Sequence, residues 1–434
     1  MEKFQADLCI KGGTVLTVDQ ERRVIPDGVV FTARDRIIAV GKSSELKDDY
    51  QAKRIINADG MLVIPGLINA HSHLAMTLFR GFVEDLVLQK WLEKVWKYEL
   101  SALDAEAVRA GSKLALAEMI KGGITCAHDM YWHYDQTIEL AEEIGFRLLS
   151  GPPITRLGDP DFDEMFQKAE DTLAWIDDLS YVHPVLQTHS TYTTNSLMME
   201  TVREFKEKYQ VSFTTHASEN QAEVDDVYEM YQRSPIQVLH DHQLLDDSTV
   251  LAHCVKVTEE EIELLNKTGT HVAHCPESNL KLGSGIAPAA AMLETGINVC
   301  LGTDGAASNN DLDLLSEIRT AALLQKGVNH NPELLNTEQA LEMITINGAK
   351  AYHLDSLIGS LEVGKKADLV LVDLDRIHLT PNFDPSANLI YSAVKSDVDT
   401  VIIDGKVHLE SGNLLLLDEE EIKADVRAID FLSK

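Results

Sequence analysis

Apolar and polar positions change rhythm twice along this chain. Residues 1–60 alternate, as in ADLCIKGGTVLTVD and GVVFTARDRIIAVG, with turn-forming breaks between the runs. Period-two patterning with short connections predicts β-hairpins. Residues 365–434 return to that rhythm in KADLVLVDLD and DTVIIDGKVHLESG, where Asp404-Gly405 supplies a hairpin turn. Neither end is long enough for a comfortable core alone, so the two are expected to join as one composite β-sandwich. The acidic run Asp418–Glu421 reads as solvated surface.

Residues 61–364 follow a different pattern, in which short apolar strands alternate with amphipathic helices. MLVIPGLINAH reads as a strand. After a long insertion comes a helix from about Asp104 to Lys121, with Ser101 and Asp104 as caps and Gly122-Gly123 as the stop. ITCAHD, a helix over Asp135–Ile144, FRLLS, YVHPVLQTH, VSFTTH, STVLAHC, GTHVAHC and INVCLGTD complete eight strands. This order predicts an α/β fold, a (β/α)8 barrel. An open doubly wound sheet would place a glycine-rich phosphate turn after its first strand. Here histidines stand there instead.

Composition narrows the partners. The chain has 434 residues, 44% of them hydrophobic, and a formal net charge of −32. Such acidity disfavours phosphate backbones, so no nucleic-acid partner is expected. The opening MEKFQADLCI has no apolar signal core, and no charge-free run is long enough to span a bilayer. The five cysteines form no C-x-x-C pair and suit a reducing, cytoplasmic setting.

The chemistry gathers at strand ends, where barrels keep their catalytic groups. His71-Ser72-His73 closes the first strand, and a spacing of two puts both imidazoles on one face. His216 ends the fifth strand and Asp304 the eighth. Three histidines and a carboxylate offer the nitrogen and oxygen donors that suit Zn²⁺ or Fe²⁺, and the lack of a cysteine cluster argues against a closed structural site. A catalytic metal lowers the pKa of a bound water to roughly 7, and Asp304 can accept a hydrogen bond from that water. Glu219, just past His216 in THASEN, is placed to pass a proton to substrate. His253, ending the sixth strand, can orient the water. His189 ends the fourth strand, where it can hydrogen-bond substrate. His128, His133, His271 and His274 read as structural or wall residues. His408-Leu409-Glu410 matches half of the zinc deaminase signature, but its P-C-x-x-C half is missing.

The stretches PGLINAHSHLAMTLFRGFVEDL, THASEN, LAHC, ESNLKLGSGIAP, LGTDGAASNNDLDL and IGSLEVGKKADLVLVD together resemble the amidohydrolase superfamily. Within it they are most similar to the branch of purine-type deaminases and s-triazine chlorohydrolases. The resemblance implies one divalent metal per subunit on His71, His73, His216 and Asp304, with Glu219 as proton shuttle and His253 beside the attacking water. It favours a single metal, because two-metal members use a lysine on the fourth strand and YVHPVLQTH has none. It implies substrate contacts from Glu99, through sugar hydroxyls, and His189, alongside Glu219 and Asp304. Where the family places an arginine after the third strand, this chain has Pro152, and the next arginine is Arg156. Arg156 is therefore the candidate for a substrate carboxylate. The implied reaction is hydrolytic deamination of an adenosine-type nucleoside (5-methylthioadenosine, S-adenosylhomocysteine or adenosine) in a homo-oligomer. Guanine, a pterin or an s-triazine is the rival substrate class. A non-catalytic barrel acting as a binding module is disfavoured by the full donor set.

Overall fold

The computed structural model describes residues 3–429. Eight parallel strands form the barrel: Leu67–Asn69, Ile124–Asp129, Arg147–Ser150, Val182–Ser190, Ser212–Ala217, Thr249–His253, His271–His274 and Val299–Leu301. They neighbour one another in chain order, and most of their residues are buried on both faces. This double burial is why they read as continuous apolar runs.

First and last strands meet through the Ala70 N–H, which donates to the Leu301 carbonyl at 2.8 Å. The Asn69 side chain accepts from the Thr303 N–H at 3.0 Å and donates to its hydroxyl at 2.8 Å. Just beyond, Ser72–His73 pairs with Asp304–Gly305. Gly302 permits this approach, since a Cβ there would lie 2.7 Å from both the Cβ and the carbonyl oxygen of His71. The closure thus sits directly under the site.

Local signals decide the helix ends. The expected helix runs Ala105–Lys121, with the Asp104 carboxylate accepting from the Ala107 N–H at 2.9 Å and Gly122 at its C-terminus. Ser101 does not cap it; that serine ends the preceding helix, Leu88–Ser101, which fills the long insertion.

The chain ends build two further sheets. One has the order Arg36–Lys42, Gly28–Ala33, Phe4–Lys11, Tyr50–Asn57. The other runs Asn413–Leu414, Lys406–Glu410, Val398–Ile403, Leu369–Asp373, Met61–Pro65, Thr14–Leu16, Val24–Ile25, so strands from both ends pair directly. Ile10, Val30, Ile37, Leu371 and Ile402 share a core between them.

The stretch expected as one strand, MLVIPGLINAH, is two. Met61–Pro65 pairs with Leu369–Asp373 in the end sheet, and after Gly66 the segment Leu67–Asn69 opens the barrel. Both pieces are buried, so apolar periodicity has no contrast with which to separate them. Buried Arg147, starting the third barrel strand, reaches both Asp368 carboxylate oxygens, at 3.1 and 3.3 Å, and ties barrel to end sheet.

The acidic run lies on the solvated surface, as expected, and also has a structural place. Asp418 caps the helix Glu419–Ala428, whose acidic first turn favours the N-terminus. Glu419 pairs with Lys121 and Glu421 with Lys113, docking that helix on the barrel. No helix among the described residues is long and apolar enough to cross a membrane, and all five cysteines are buried and free.

Candidate metal centre and active site

One donor atom each from His71, His73, His216 and Asp304 comes within 4.8 Å of the others, and all four residues are buried. The H-x-H spacing brings the first two rings to a centroid distance of 5.0 Å. Nδ1 of His73 donates to the Met130 carbonyl, and Nδ1 of His216 to that of His189, each at 2.5 Å. These contacts favour a proton on each Nδ1 and turn the two Nε2 atoms toward each other, 3.3 Å apart. Neither ring nitrogen of buried His71 has a hydrogen-bond partner. Burial pushes the pKa of His71 and His216 well below the ordinary value, so both are neutral, as ligands must be.

Asp304 completes the set. Its Oδ2 accepts from the hydroxyls of Ser278 at 2.6 Å and Ser308 at 2.8 Å, while Oδ1 lies 3.2 Å from His73 Nε2 and 3.7 Å from His71 Nε2. Three histidine nitrogens and one carboxylate oxygen converging on one point fit a divalent cation, which would take the place of the proton that the Asp304 carboxylate otherwise favours on His73, whose pKa it helps raise to about 9. This is a metal site.

Beyond the fifth strand, Glu219 lies buried with its carboxylate 3.8 Å from His253 Nε2. Burial first, then the charge of Asp304, raises its pKa to about 8, so it holds a proton at neutral pH. His253 Nδ1 donates to the Asn279 side chain at 2.9 Å, which turns its Nε2 lone pair into the site. Ser218, His253 and Asp304 have positive φ of 53°, 74° and 59°, so the chain leaves three strand ends in left-handed turns. Such conformations persist only when surroundings hold them. For the first turn the holder is Glu223, whose buried carboxylate accepts from the N–H groups of Ser218 at 3.0 Å and Glu219 at 2.6 Å. Asn220 caps the helix carrying Glu223 by accepting from its N–H at 2.8 Å.

The residue pattern did not single out Glu223, Ser278, Ser308 or Asn279. Ser278 and Asn279 lie in ESNLKLGSGIAP and Ser308 in LGTDGAASNNDLDL, so the stretches were visible, but neither carried a readable role. Glu223 had a faint signal, as the third residue of a helix after an Asn cap.

A cleft opens over this centre, with Glu99, His189, Glu219, His253 and Asp304 in its wall. Glu99, near the end of the helix Leu88–Ser101, accepts from the Tyr131 hydroxyl at 2.6 Å, and burial raises its pKa. His189 turns Nδ1 toward the hydroxyls of Thr193 at 3.0 Å and Ser190 at 3.2 Å, and its ring meets Trp96 edge-on. Arg156 is not brought in. Its neighbours Thr155 and Leu157 line the cleft, while its own exposed guanidinium donates to the Tyr192 carbonyl at 3.1 Å. His128, His133, His271 and His274 stay out of the wall, and His408 lies in the end sheet.

A barrel with such a donor set at the C-terminal ends of its strands, and a carboxyl group beside it, defines a metal-dependent hydrolase. Residues 62–408 match the amidohydrolase family, and the chain belongs to that family. It is 42% identical over 421 residues to a 5-methylthioadenosine/S-adenosylhomocysteine deaminase of Moorella thermoacetica, covering 96% of this chain and 98% of that protein. It is 40% identical over 434 residues to a 5'-deoxyadenosine deaminase of Methanosarcina acetivorans, covering 97% of each. Among solved structures it is similar to an adenosine deaminase from Xanthomonas campestris with bound zinc, at TM-score 0.96 and 35% identity over 98% of both chains.

Proposed function

We propose that this chain is a zinc-dependent aminohydrolase that replaces the ring amino group of an adenosine-type nucleoside with oxygen, releasing ammonia and the inosine-type product. The observation that carries the reading is a buried carboxyl group, Glu219, set beside a three-histidine, one-aspartate donor set at the floor of a cleft. The deaminase names of relatives near 40% identity support it, and the zinc of the Xanthomonas structure supports the metal. One ion per chain follows from donors that converge on a single point and from a fourth strand, Val182–Ser190, without lysine.

When bound, the ion supplies a strong nucleophile from water at neutral pH. His71, His73, His216 and Asp304 would hold it. Glu219 delivers its proton to the ring nitrogen next to the carbon under attack, which draws electrons away from that carbon. The His253 Nε2 lone pair orients the attacking water, and Asn279 fixes its tautomer. Glu99 accepts from sugar hydroxyls and His189 bonds the nucleoside, while the closed barrel floor excludes bulk water. Glu219, left as a carboxylate, then takes the proton of the added hydroxyl and hands it to the amino nitrogen, so the C–N bond breaks and ammonia leaves as the carbonyl forms.

The test is ammonia release from adenosine, 5′-deoxyadenosine and 5-methylthioadenosine against guanine, a pterin and an s-triazine. Turnover of the adenosines is expected. Turnover confined to one of the other rings would overturn the assignment.

A further inference from the structure

This inference rests on the nucleoside reading above and concerns the part of the substrate farthest from the reaction. The helix Leu88–Ser101 presents Leu88, Trp91, Leu92 and Trp96 to the cleft, a stripe at helical spacing that ends in Glu99. Trp132 and Leu157 extend this apolar surface from two other loops. Apart from imidazoles and neutral hydroxyls such as those of Thr155 and Tyr192, the polar wall is acidic: Glu99, Glu219, Glu223 and Asp304 all line the same space. No lysine or arginine lines it among the described residues. Arg156, the nearest candidate by sequence, is exposed to solvent outside that wall and donates to the Tyr192 carbonyl at 3.1 Å.

With the ring amino group at the metal centre and the sugar at Glu99, the 5′ substituent falls against the apolar stripe on the helix that carries Glu99. We infer that this cleft selects adenosine nucleosides whose 5′ substituent is uncharged and apolar, and discriminates against those bearing a carboxylate or a phosphate there. A methylthio group or a bare methyl buries against Leu and Trp side chains with nothing left unpaired. An amino-acid tail can offer its ammonium to a wall carboxylate, but its own carboxylate enters an acidic, apolar space without a cation. Anions buried that way are costly, and arginine is the usual remedy.

The experiment compares kcat/KM for 5′-deoxyadenosine, 5-methylthioadenosine, 5′-butylthioadenosine, S-adenosylhomocysteine and adenosine 5′-phosphate with the zinc-loaded enzyme. The butylthio compound has a tail of similar length without charge, so it separates charge from bulk. The first three are expected within a few-fold of one another, and the two anionic compounds lower by about 10- to 100-fold or more. Arg156→Ala should keep the same ranking. S-adenosylhomocysteine turned over as well as 5-methylthioadenosine would overturn the inference. So would a butylthio compound that falls with the anions, or an Arg156→Ala variant that selectively loses S-adenosylhomocysteine. Inactivity toward every adenosine would instead remove the nucleoside reading itself, and the selectivity with it.

Discussion

Replacing Glu223 with alanine tests how the proton donor is aimed. In the native site its carboxylate accepts from two backbone N–H groups, at 3.0 Å from Ser218 and 2.6 Å from Glu219. Both belong to a turn in which Ser218 has φ of 53°. Alanine leaves two buried donors without acceptors, each worth roughly 1–3 kcal/mol. Part of that returns, because burial already opposes ionisation of Glu223 and raises its pKa to about 7. If the penalty of one donor is felt in the transition state, at 1.36 kcal/mol per tenfold, kcat falls by about 10- to 100-fold. Zinc content should stay the same, since no ligand is touched, and KM should move by less than kcat. Glutamine offers one acceptor, its amide oxygen, and an amide NH2 that only donates, so Glu223→Gln should fall between wild type and alanine. The assay is ammonia release from 5-methylthioadenosine at several concentrations, with metal analysis of each variant. A Glu223→Ala enzyme within twofold of wild-type kcat would refute the idea that this carboxylate positions Glu219.

Glu219→Gln should keep its zinc yet lose about 10²–10⁴-fold in kcat, the range typical of general acid–base groups; arrival metal-free would make it a ligand. His216→Ala and Asp304→Ala should each lose both metal and turnover, measured by elemental analysis and ammonia release, because each removes one donor of four. Glu219 must hold a proton to give one, and its raised pKa keeps it protonated until about pH 8. kcat/KM should therefore fall as pH rises through that value, and a profile still rising at pH 9 would contradict the role. Gly302→Ala should lower the thermal midpoint and zinc affinity together, since its Cβ would press on His71 at 2.7 Å.

The metal donors were legible from sequence because they sit where strands end, a position that alternating apolar runs reveal at once. Strand ITCAHD and the Asp104-capped helix fell at their expected residues, each bounded by chemistry readable from a few neighbours. The split at Gly66 was not legible, because it separates two buried segments that differ only in which sheet they join. Ser278 and Ser308 illustrate the harder case. They are ordinary serines until the chain folds and sets both hydroxyls on one carboxylate oxygen. Arg156 shows a different limit: its position in the chain suggested a substrate contact, and the side chain lies exposed at the Tyr192 carbonyl beside cleft residues Thr155 and Leu157.

The most direct measurement titrates zinc into chelator-stripped protein while following ammonia release from 5-methylthioadenosine. Activity should be absent without metal, rise linearly to one equivalent per chain and then stay level, with an inosine-type product whose thioether and glycosidic bond are intact. Full activity in the stripped protein, a rise that continues to two equivalents, or release of free base without ammonia would contradict a single-metal nucleoside aminohydrolase.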